Sequence, residues 1–341
     1  MKGKVLVTGG TGFLGRHVLR KLVARQGGAA VRVLVRQESR SLAKLGVGEQ
    51  VLGDILEPAS LAPALRGVRR VVHLAGLVSR DARDATSMMR VHVDGTRHLL
   101  EAAAAAKVER VVLASSSGTI AVSRDPERVA TEESPFALEV VKGWPYYLSK
   151  IYQEQVAMAF RDRLPIVILS PSLLLGPGDA RGSSTDDVRR FLERKIPILP
   201  DGGVSFVDVR DAAAAFLAAM ERGTPGERYL LGGPNWTMAT FFGRLERLAK
   251  VPAPRLKLPE RWARLGASLL EQLAGWRGVP AAVDRISVEM AQHYWYLDAG
   301  KAQRDLGFAA RDPQETLLDT IRYLRKHFLT DDGPISTPAD P

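Results

Sequence analysis

A tyrosine and a lysine four residues apart are the side chains of this sequence best suited to proton transfer. Tyr146 and Lys150 begin a segment with helical spacing, so both side chains lie on one face of the predicted helix. A lysine ammonium close to a phenol favours the phenolate and lowers the pKa of the tyrosine from its usual value of about 10. Such a tyrosine can exchange a proton with an alcohol or a carbonyl group.

Three consecutive serines supply hydroxyl groups about thirty residues before this pair. Ser115, Ser116 and Ser117 follow a short apolar segment, Arg110 to Ala114, that is typical of a buried strand. Ligands of α/β proteins bind at the carboxyl ends of such strands. The spacing therefore places a serine hydroxyl near the tyrosine, but it leaves open which of the three serines is used.

A glycine-rich turn near the start of the chain predicts a nucleotide site. A strand over Lys4–Thr8 leads into a segment that fits both GxGxxG and GxxGxxG, and a helix near 13–25 follows. Glycines let the backbone close on a pyrophosphate, which the positive end of the helix dipole then faces. A glycine turn without a ligand is the alternative. The residues expected to bind the cofactor here are Thr8, Gly9, Gly12, Phe13, Leu14 and Gly15.

The end of the second predicted strand, Val31–Val35, indicates which dinucleotide binds. An acidic residue at this position accepts a hydrogen bond from the ribose 2′-hydroxyl, whereas an arginine receives a 2′-phosphate. Arg36 follows the strand, so the sequence predicts NADP(H), with NAD(H) as the other possibility. A solvent-facing arginine is the alternative interpretation. Other candidate partners of the phosphate are Arg16, Arg32 and Arg40.

Two further strand ends extend the predicted cofactor site. Asp54 and Ile55 follow a strand over 50–53, where a carboxylate can accept from the adenine amino group or open the turn before the next helix. A strand over 70–75 includes His73, which we interpret as a packed residue. Its tip carries small residues beside which a cofactor can pass. The residues expected there are Leu74, Ala75 and Gly76.

Strand and helix segments alternate along this part of the chain, with a long helix predicted over 85–107. The alternation predicts an α/β fold, a doubly wound parallel sheet of the Rossmann type with helices on both faces. Substrate binding is assigned to a smaller, mostly helical C-terminal region. The predicted division is 1–180 plus 204–222 for the dinucleotide-binding domain, 181–203 and 223–328 for the substrate-binding region, and 329–341 for a flexible tail.

Composition excludes several other classes of protein. The 341 residues are 45% hydrophobic and include no cysteine, which rules out disulfides, thiolate metal sites and a cysteine nucleophile, and we predict no metal. The net charge is +10, but the arginines are scattered without an aromatic platform, so no nucleic acid is expected as a partner. No apolar run approaches the ~18 residues of a membrane span. The first predicted strand already begins at residue 4, which leaves no room for a signal peptide, so we expect a cytoplasmic protein.

The segment 255–282 has apolar residues at helical spacing, with arginines between them. A helix packed on the core is one interpretation; a lid over a lipophilic pocket, in peripheral contact with a membrane, is the other. Few of its polar groups suit a nucleotide-sugar, so we expect a small, apolar carbonyl or hydroxyl substrate. The apolar residues are Trp262, Leu265, Leu269, Leu270, Leu273 and Trp276, and the arginines are Arg261, Arg264 and Arg277.

Together with these sites, the later segments resemble the extended short-chain dehydrogenases/reductases of the NAD-dependent epimerase/dehydratase superfamily. Within it, the chain is most similar to the dihydroflavonol-reductase and 3β-hydroxysteroid-dehydrogenase-like branch. The resemblance covers almost all of the chain from residue 2 to residue 327. It includes VHVDGTRHLLEAA at 91–103, SPSLLLGPGD at 170–179, FVDVRDAAAAF at 206–216 and LDAGKAQRDLGF at 297–308.

The resemblance implies a role for each matched residue. Tyr146 becomes the general acid/base, Lys150 holds the nicotinamide ribose and lowers the tyrosine pKa, and Ser116 binds the substrate oxygen. Ser117 and Tyr147 are expected to face the substrate, although Tyr147, about 100° further round the helix, suits the core as well. The residues implied to line the nicotinamide are Ser170, Pro171 and Ser172.

The chain departs from the family pattern at two places. His92 stands where relatives commonly have asparagine, which calls into question the usual backbone-orienting hydrogen bond near the catalytic loop. After the serines, residues 118–120 are Gly-Thr-Ile rather than the acidic pair of the dehydratases, which disfavours sugar dehydration.

These observations predict an oxidoreductase that transfers hydride between NADP(H) and a ketone or secondary alcohol on a lipophilic, steroid-, lipid- or polyketide-like substrate. The alternatives are a nucleotide-sugar epimerase with tightly bound NAD and a cofactor-sensing protein without catalysis. The resemblance also implies a homodimer that pairs the helix over 85–107 with the helix of Tyr146.

Overall fold

Seven parallel strands form the central sheet of the computed structural model, which describes residues 3–257, 285–330 and 333–334. The strand order β3-β2-β1-β4-β5-β6-β9 reverses direction between β1 and β4, so the sheet is doubly wound as predicted. These strands are β1 (Lys4–Thr8), β2 (Val31–Val35), β3 (Glu49–Leu52), β4 (Val68–His73), β5 (Arg110–Ala114), β6 (Ile166–Pro171) and β9 (Arg228–Leu231).

Helices cover both faces of this sheet, which explains why its central strands are uninterrupted apolar runs. Helices α1 (Phe13–Gln26) and α9 (Val209–Arg222) pack together on one face; α3 (Pro58–Leu65), α5 (Gly95–Ala105) and α7 (Pro145–Ala159) pack on the other. The remaining α-helices within the described residues are α2 (Arg40–Lys44), α4 (Ala85–Met89), α6 (Leu138–Val141), α8 (Asp186–Leu192), α10 (Met238–Ala249), Arg285–Met290, Gly300–Leu306 and Pro313–Phe328.

A second, smaller sheet lies beside the main one. Its central strand β8 (Gly203–Asp208) pairs with β7 (Leu173–Leu175), β10 (Asn235–Thr237) and β11 (Tyr294–Trp295). Apolar side chains of α8, α10 and the C-terminal helix Pro313–Phe328 pack with this sheet. The two sheets meet where β6 continues almost directly into β7, so residues near 172 belong to both units.

The structure refines several predicted boundaries. The strands at 4–8, 31–35 and 110–114 agree with the prediction. The strands predicted over 50–53 and 70–75 are instead found at 49–52 and 68–73, because pairing with their neighbours begins earlier. The long helix predicted over 85–107 is present as one helical segment from Ala85 to Ala105, in which a π-helical turn, Arg90–Asp94, lies between α4 and α5. The predicted domain division stays a prediction, although β9 places residues 228–231 in the main sheet.

Much of the segment 255–282, predicted as a core helix or a lid, and of the predicted tail lies outside the described residues. The apolar and arginine positions from 261 to 277 are not among them, nor are residues 331–332 and 335–341 of the predicted tail. The described part of that tail forms a short antiparallel pair, Leu329–Thr330 with Gly333–Pro334. Within the ranges that are described, no helix has both the length and the apolar character of a membrane span.

A buried ion-pair cluster joins the two units. Asp208 ends β8, has no exposed side-chain surface, and accepts bonds from the backbone N–H (2.8 Å) and guanidinium (2.7 Å) of Arg210. Arg210 also contacts Asp319 of the C-terminal helix at 2.9 Å, and Arg311 lies 3.4 Å from Asp208. Burial by itself would raise the pKa of Asp208, but the bonds from Arg210 outweigh it and the net pKa is lowered.

Replacement of Asp208 by Asn should lower the free energy of unfolding by about 3 kcal/mol, because it leaves two partly buried arginines without their shared carboxylate. The loss should be largest near neutral pH. It should shrink as the pH falls below about 4, where Asp208 of the unfolded chain takes up a proton, and further as the pH falls through the lowered pKa of the native carboxylate. Urea unfolding at several pH values measures both. Glu139→Gln, which removes an exposed partner of Lys142, is the control and should change the stability by less than about 0.5 kcal/mol; an equal loss in both variants would contradict the prediction.

Candidate active site

A cavity of about 730 Å³ opens at the carboxyl ends of the central strands. One end is lined by the glycine turn after β1 and by residues that follow β4. Its middle is lined by the serines after β5 and by the first turns of α7, and its other end by residues of the second sheet and of the helix Arg285–Met290. The cavity therefore joins the predicted cofactor site to the predicted substrate region.

The glycine turn leaves room for a phosphate. Gly9 has a φ of +68°, and a Cβ there would lie 2.5 Å from the Ala75 nitrogen, so no larger residue fits. A Cβ on Gly15 would collide with the Gly9 carbonyl. Gly12 is the N-cap of α1 and no side chain caps the helix, so its first amides face the cavity without a side-chain acceptor. These features fit a dinucleotide pyrophosphate.

Most predicted cofactor residues line this end of the cavity, and two lie behind it. The lining includes Gly9, Gly12, Phe13, Leu14, Gly15, Leu74 and Gly76. Thr8 and Ala75 are outside the lining: the Thr8 hydroxyl accepts from the Ala75 N–H at 3.2 Å and contacts His73 at 2.7 Å. His73 is buried in the strand, as interpreted from the sequence.

The predicted adenosine-binding residues lie at neighbouring strand ends. Arg36 is exposed directly after β2, and the pairing of Val35 with Leu52 brings it beside the end of β3. The Asp54 carboxylate accepts from the Leu56 N–H at 2.9 Å, as expected for the turn-opening alternative. Ile55 is buried. None of Arg36, Asp54 and Ile55 is among the lining residues of the cavity, and their contacts with a cofactor remain predictions.

The other arginine candidates differ in their surroundings. Arg32 is buried, and its guanidinium donates to the carbonyls of Ala64 and Arg66 at 2.8 Å each and pairs with Glu49. It is therefore unavailable to a phosphate, and that candidate was wrong. Arg16 lines the cavity beside the glycine turn, and Arg40 is exposed at the start of α2.

Helix α7 brings the predicted catalytic residues together. Pro145 stands in its first turn, where a missing N–H costs nothing, and the helix points Tyr146 and Lys150 into the cavity. The Ser116 side chain lies within hydrogen-bonding reach of the Tyr146 hydroxyl and lowers the pKa of the tyrosine. The Ser115 hydroxyl turns away to Glu154, while Ser117 lines the cavity as the next residue. The structure therefore distinguishes the three serines and places Ser116 beside the tyrosine.

Tyr147 lies both in the cavity wall and in an aromatic cluster. Its ring is 5.0 Å from that of Trp295, which stacks on Trp144 at 5.6 Å. Both expectations for this residue, a place in the core and a surface towards the substrate, are thus compatible with its position.

The proton affinities at the centre differ from the sequence-based expectation. Burial raises the pKa of Tyr146, Tyr147 raises it further, and only the hydrogen bond with Ser116 lowers it. Lys150 is not among the groups that shift the pKa of Tyr146, so the lowering expected from it is not seen. Burial also lowers the pKa of Lys150 to about 8, against the opposing charge of Glu154. The Lys150 ammonium donates to the Ala114 carbonyl at 3.0 Å and to the Gln153 side chain at 2.9 Å.

Two buried serine hydroxyls lie where the nicotinamide is expected. Pro171 and Ser172 line the cavity, and the Ser172 hydroxyl has no hydrogen-bond partner among the described residues. The Ser170 hydroxyl, fully buried, also has none within that part of the chain. A buried hydroxyl that faces a cavity without a partner fits a polar ligand group such as a carboxamide. Around the site and elsewhere in the described ranges, no set of three histidine or acidic side chains could hold a metal ion.

His92 supplies the backbone-orienting contact that its departure from the family pattern called into question. Its Nε2 accepts from the Leu77 N–H at 3.1 Å, so the proton is on Nδ1, which donates to the Ser149 hydroxyl at 2.8 Å. Ser149 in turn donates to the Tyr146 carbonyl at 2.7 Å. Burial and the nearby Lys150 charge hold the pKa of His92 well below its usual range, so the imidazole is neutral.

Because an asparagine can also accept from one group and donate to the other, His92→Asn should retain most of the stability. His92→Phe should lose about 1–3 kcal/mol of unfolding free energy, since it keeps the volume but leaves the Leu77 N–H and the Ser149 hydroxyl unpaired. Urea unfolding compares the two variants, with exposed His327→Phe as the control. Equal stability of the Asn and Phe variants would show that these hydrogen bonds contribute little.

Sequence reasoning missed three polar residues of α7. Ser149, Gln153 and Glu154 are buried, and each is hydrogen-bonded to a segment that borders the cavity. They lie three, seven and eight residues after Tyr146, on the same helical face. That spacing was the available signal, because polar residues on a face that must be buried require partners. The ion pair between Arg80 and Asp187 (2.8 Å), which borders the substrate end, was also missed.

The comparison with family models decides the classification. The model of the NAD dependent epimerase/dehydratase family matches residues 5–232. The chain belongs to this family. Its members, the extended short-chain dehydrogenases/reductases, are NAD(P)-dependent enzymes that act on CH–OH groups, which agrees with the glycine turn and the Ser116–Tyr146–Lys150 arrangement.

Similar curated proteins include several reductases. A protein named "Putative dihydroflavonol 4-reductase" from Synechocystis sp. is 34% identical over 329 residues, which are 94% of each chain. The sterol demethylase protein B of Methylococcus capsulatus is 32% identical over 94% of this chain and 98% of its own. The 4-hydroxy-2-methyl-3-oxo-4-farnesyl-3,4-dihydroquinoline-1-oxide ketoreductase of Stigmatella aurantiaca is 32% identical over 94% of this chain and 96% of its own.

Solved structures share the fold over nearly the whole chain. The crystal structure of gox2253 superposes with a TM-score of 0.82 and 32% identity, covering 97% of this chain and 100% of that one. The dTDP-glucose 4,6-dehydratase DesIV of Streptomyces venezuelae, solved with NAD and TYD bound, has a TM-score of 0.73 and 26% identity over 95% and 97% of the two chains. The protein is thus an extended short-chain dehydrogenase/reductase with an NAD(P) site.

Proposed function

We propose that this protein is an NADP(H)-dependent oxidoreductase that interconverts a ketone and a secondary alcohol on a lipophilic substrate. The observation that carries the proposal is the position of Tyr146, which lies beside Ser116 in the cavity wall, at the junction between the glycine cradle and an aromatic pocket. When bound, the dinucleotide supplies or accepts the hydride. Proton transfer and binding of the substrate oxygen are carried out by side chains of the protein.

In the direction of ketone reduction, the phenol gives the proton to the substrate oxygen. Its raised pKa keeps Tyr146 protonated, and Ser116 is placed to donate a hydrogen bond to the same oxygen. Two N–H groups of Lys150 are bound to the Ala114 carbonyl and to Gln153, which leaves the third for a ribose hydroxyl. The lysine charge also stabilises negative charge that develops on the phenol oxygen.

The substrate end of the cavity supports a lipophilic substrate. Its wall is largely aromatic and aliphatic, and the ion pair of Arg80 with Asp187 neutralises two of its charges. The names of two relatives, a sterol demethylase protein and a ketoreductase of a farnesylated compound, refer to lipophilic compounds. A steroid-, lipid- or polyketide-like ketone is therefore proposed. The apolar and aromatic residues of the wall are Trp144, Tyr147, Phe241, Phe242, Ile286, Met290 and Trp295.

Preference for NADP(H) is proposed from Arg36, which is exposed at the end of β2. NAD(H) is the other candidate, since the DesIV dehydratase binds NAD. A peripheral membrane contact and a homodimer remain predictions from the sequence, as do a cytoplasmic location and the absence of a nucleic-acid partner.

Replacement of Arg36 by Ala should weaken NADPH binding by about 10- to 100-fold, the effect of losing one charge-assisted bond, and leave NADH binding almost unchanged. Fluorescence titration measures both dissociation constants. Arg66→Ala, at the opposite end of the sheet, is the control. Mass spectrometry of nucleotide released by denaturation gives an independent answer: stoichiometric NAD(H) would contradict the proposal and favour an epimerase that retains its cofactor.

A panel of lipophilic ketones tests the reaction itself. Wild-type protein with NADPH should reduce some of them, and Tyr146→Phe should lower kcat by about 10³-fold without changing the NADPH dissociation constant, because only the proton donor is lost. Equal turnover by the Phe variant would contradict the role of Tyr146.

The rate of ketone reduction should fall as the pH rises through about 8, where the buried Lys150 loses its proton and its charge. The pH profile of kcat/KM from about pH 6 to about pH 10 measures this decline. Residual activity of Lys150→Arg should lack the inflection near pH 8, because a guanidinium stays charged throughout this range. A profile that is the same for both proteins would assign the inflection to another group.

A further inference from the structure

Glu154 is a carboxylate buried within the catalytic helix. It lies eight residues after Tyr146 on α7 and has no exposed surface. Burial of a carboxylate is costly unless charge and hydrogen bonds compensate it. The contacts of Glu154 divide between its two oxygens, and each oxygen faces a different segment.

One oxygen binds both ends of the serine turn. The Ser115 hydroxyl donates to Glu154 Oε1. The Thr119 hydroxyl lies 2.9 Å from the same oxygen and 2.9 Å from the Ser116 carbonyl oxygen, and its single proton is shared between these two acceptors. These two residues flank the turn that carries Ser116. The Ser116 hydroxyl has only a long contact with the Gly118 N–H, at 3.4 Å, within the turn itself. Backbone bonds within the turn, such as that from the Thr119 N–H to the Ser116 carbonyl at 3.2 Å, fix its shape, and the contacts of Ser115 and Thr119 with Glu154 hold it against α7.

The other oxygen is neutralised by an arginine from a distant strand. Arg228 at the start of β9 donates to Glu154 Oε2 through Nε at 2.7 Å and through Nη2. The guanidinium also stacks over the Phe136 ring at 4.9 Å, which restricts its orientation. The arginine compensates the buried charge at Oε2, while Oε1 faces the hydroxyls of Ser115 and Thr119.

Resting on the proposed function, we propose that Glu154 is a positioning residue that holds the Ser116 hydroxyl in register with Tyr146, with Arg228 as its counterion. The helix that carries the proton donor thereby also holds the turn that carries the second hydroxyl. Both groups that contact the substrate oxygen then move as one unit. The charge of Glu154, one helical turn after Lys150, also favours the lysine ammonium.

The alternative is an ion pair that only stabilises the core. Loss of a purely structural pair would lower the unfolding free energy and loosen the protein broadly. Loss of a positioning pair would also disorder the turn at 115–119 selectively and lower kcat while cofactor binding persists. These two sets of effects are separable by measurement.

The test compares Glu154→Gln, Glu154→Leu and the double variant Glu154→Gln with Arg228→Met. Gln keeps an acceptor for Ser115 and Thr119, Leu removes it, and the double variant avoids an uncompensated arginine if a single variant does not fold. Exposed Glu139→Gln, which removes the same charge elsewhere, is the matched control. Hydrogen exchange with mass spectrometry follows residues 115–121 in each protein, and titration gives the NADPH dissociation constant.

Glu154→Leu should exchange faster at 115–121 than elsewhere in the sheet and should lower kcat by about 100-fold, the cost of a displaced catalytic group, with the NADPH dissociation constant almost unchanged. Glu154→Gln, alone or in the double variant, should recover most of the protection and most of kcat. Uniformly faster exchange, or parallel losses of kcat and NADPH binding, would overturn the proposal in favour of a structural pair.

The exchange measurement uses no substrate, so it separates this inference from the proposed function. If wild-type protein reduces no ketone but Glu154→Leu disorders 115–121 selectively, the proposed substrate class fails and the positioning role stands. If wild-type protein reduces ketones and this segment stays protected in Glu154→Leu, the positioning role fails and the proposed function stands.

Discussion

The polar face of α7 is buried, and this constraint organises the site. Buried polar side chains are stable only when each is hydrogen-bonded, so every residue of that face determines the position of a neighbour. Ser149 binds His92 and through it the loop after β4, Lys150 binds the end of β5, and Gln153 binds Thr96 of α5. One helix thus sets the distances among the segments that surround the cavity.

Charge around the catalytic pair is arranged so that the lysine stays the local cation. His73 and His92 are both buried near Lys150, and burial lowers the pKa of His73 to about 3. His73 bonds to Thr8 at one nitrogen and to Thr96 at the other, and Gln153 connects Thr96 to Lys150. This chain of neutral groups links the strand before the glycine turn to the ammonium without adding a second charge. The Lys150 charge also lowers the pKa of both histidines, which helps to keep them neutral.

The main sheet and its glycine turn form the cofactor end of the cavity, whereas residues of the second sheet and of the helix Arg285–Met290 line the substrate end. The DesIV dehydratase shares this fold, and a ketoreductase resembles the chain in sequence, so the fold by itself does not choose between the two activities. At the far end of the cavity, Trp144 and Trp295 form an aromatic wall supported by β11 and α7. An apolar wall selects substrates by burying their apolar surface rather than by many specific hydrogen bonds.

The sequence by itself determined the features that rest on short-range spacing. Apolar runs located the strands Lys4–Thr8 and Val31–Val35, the glycine turn located the nucleotide site, and a four-residue interval put Tyr146 and Lys150 on one helical face. Tertiary structure decided which serine meets Tyr146, what Glu154 and His92 bind, and that burial raises the tyrosine pKa. Those outcomes depend on desolvation and on partners up to 74 residues away, such as Arg228, and neither quantity is encoded in a local pattern.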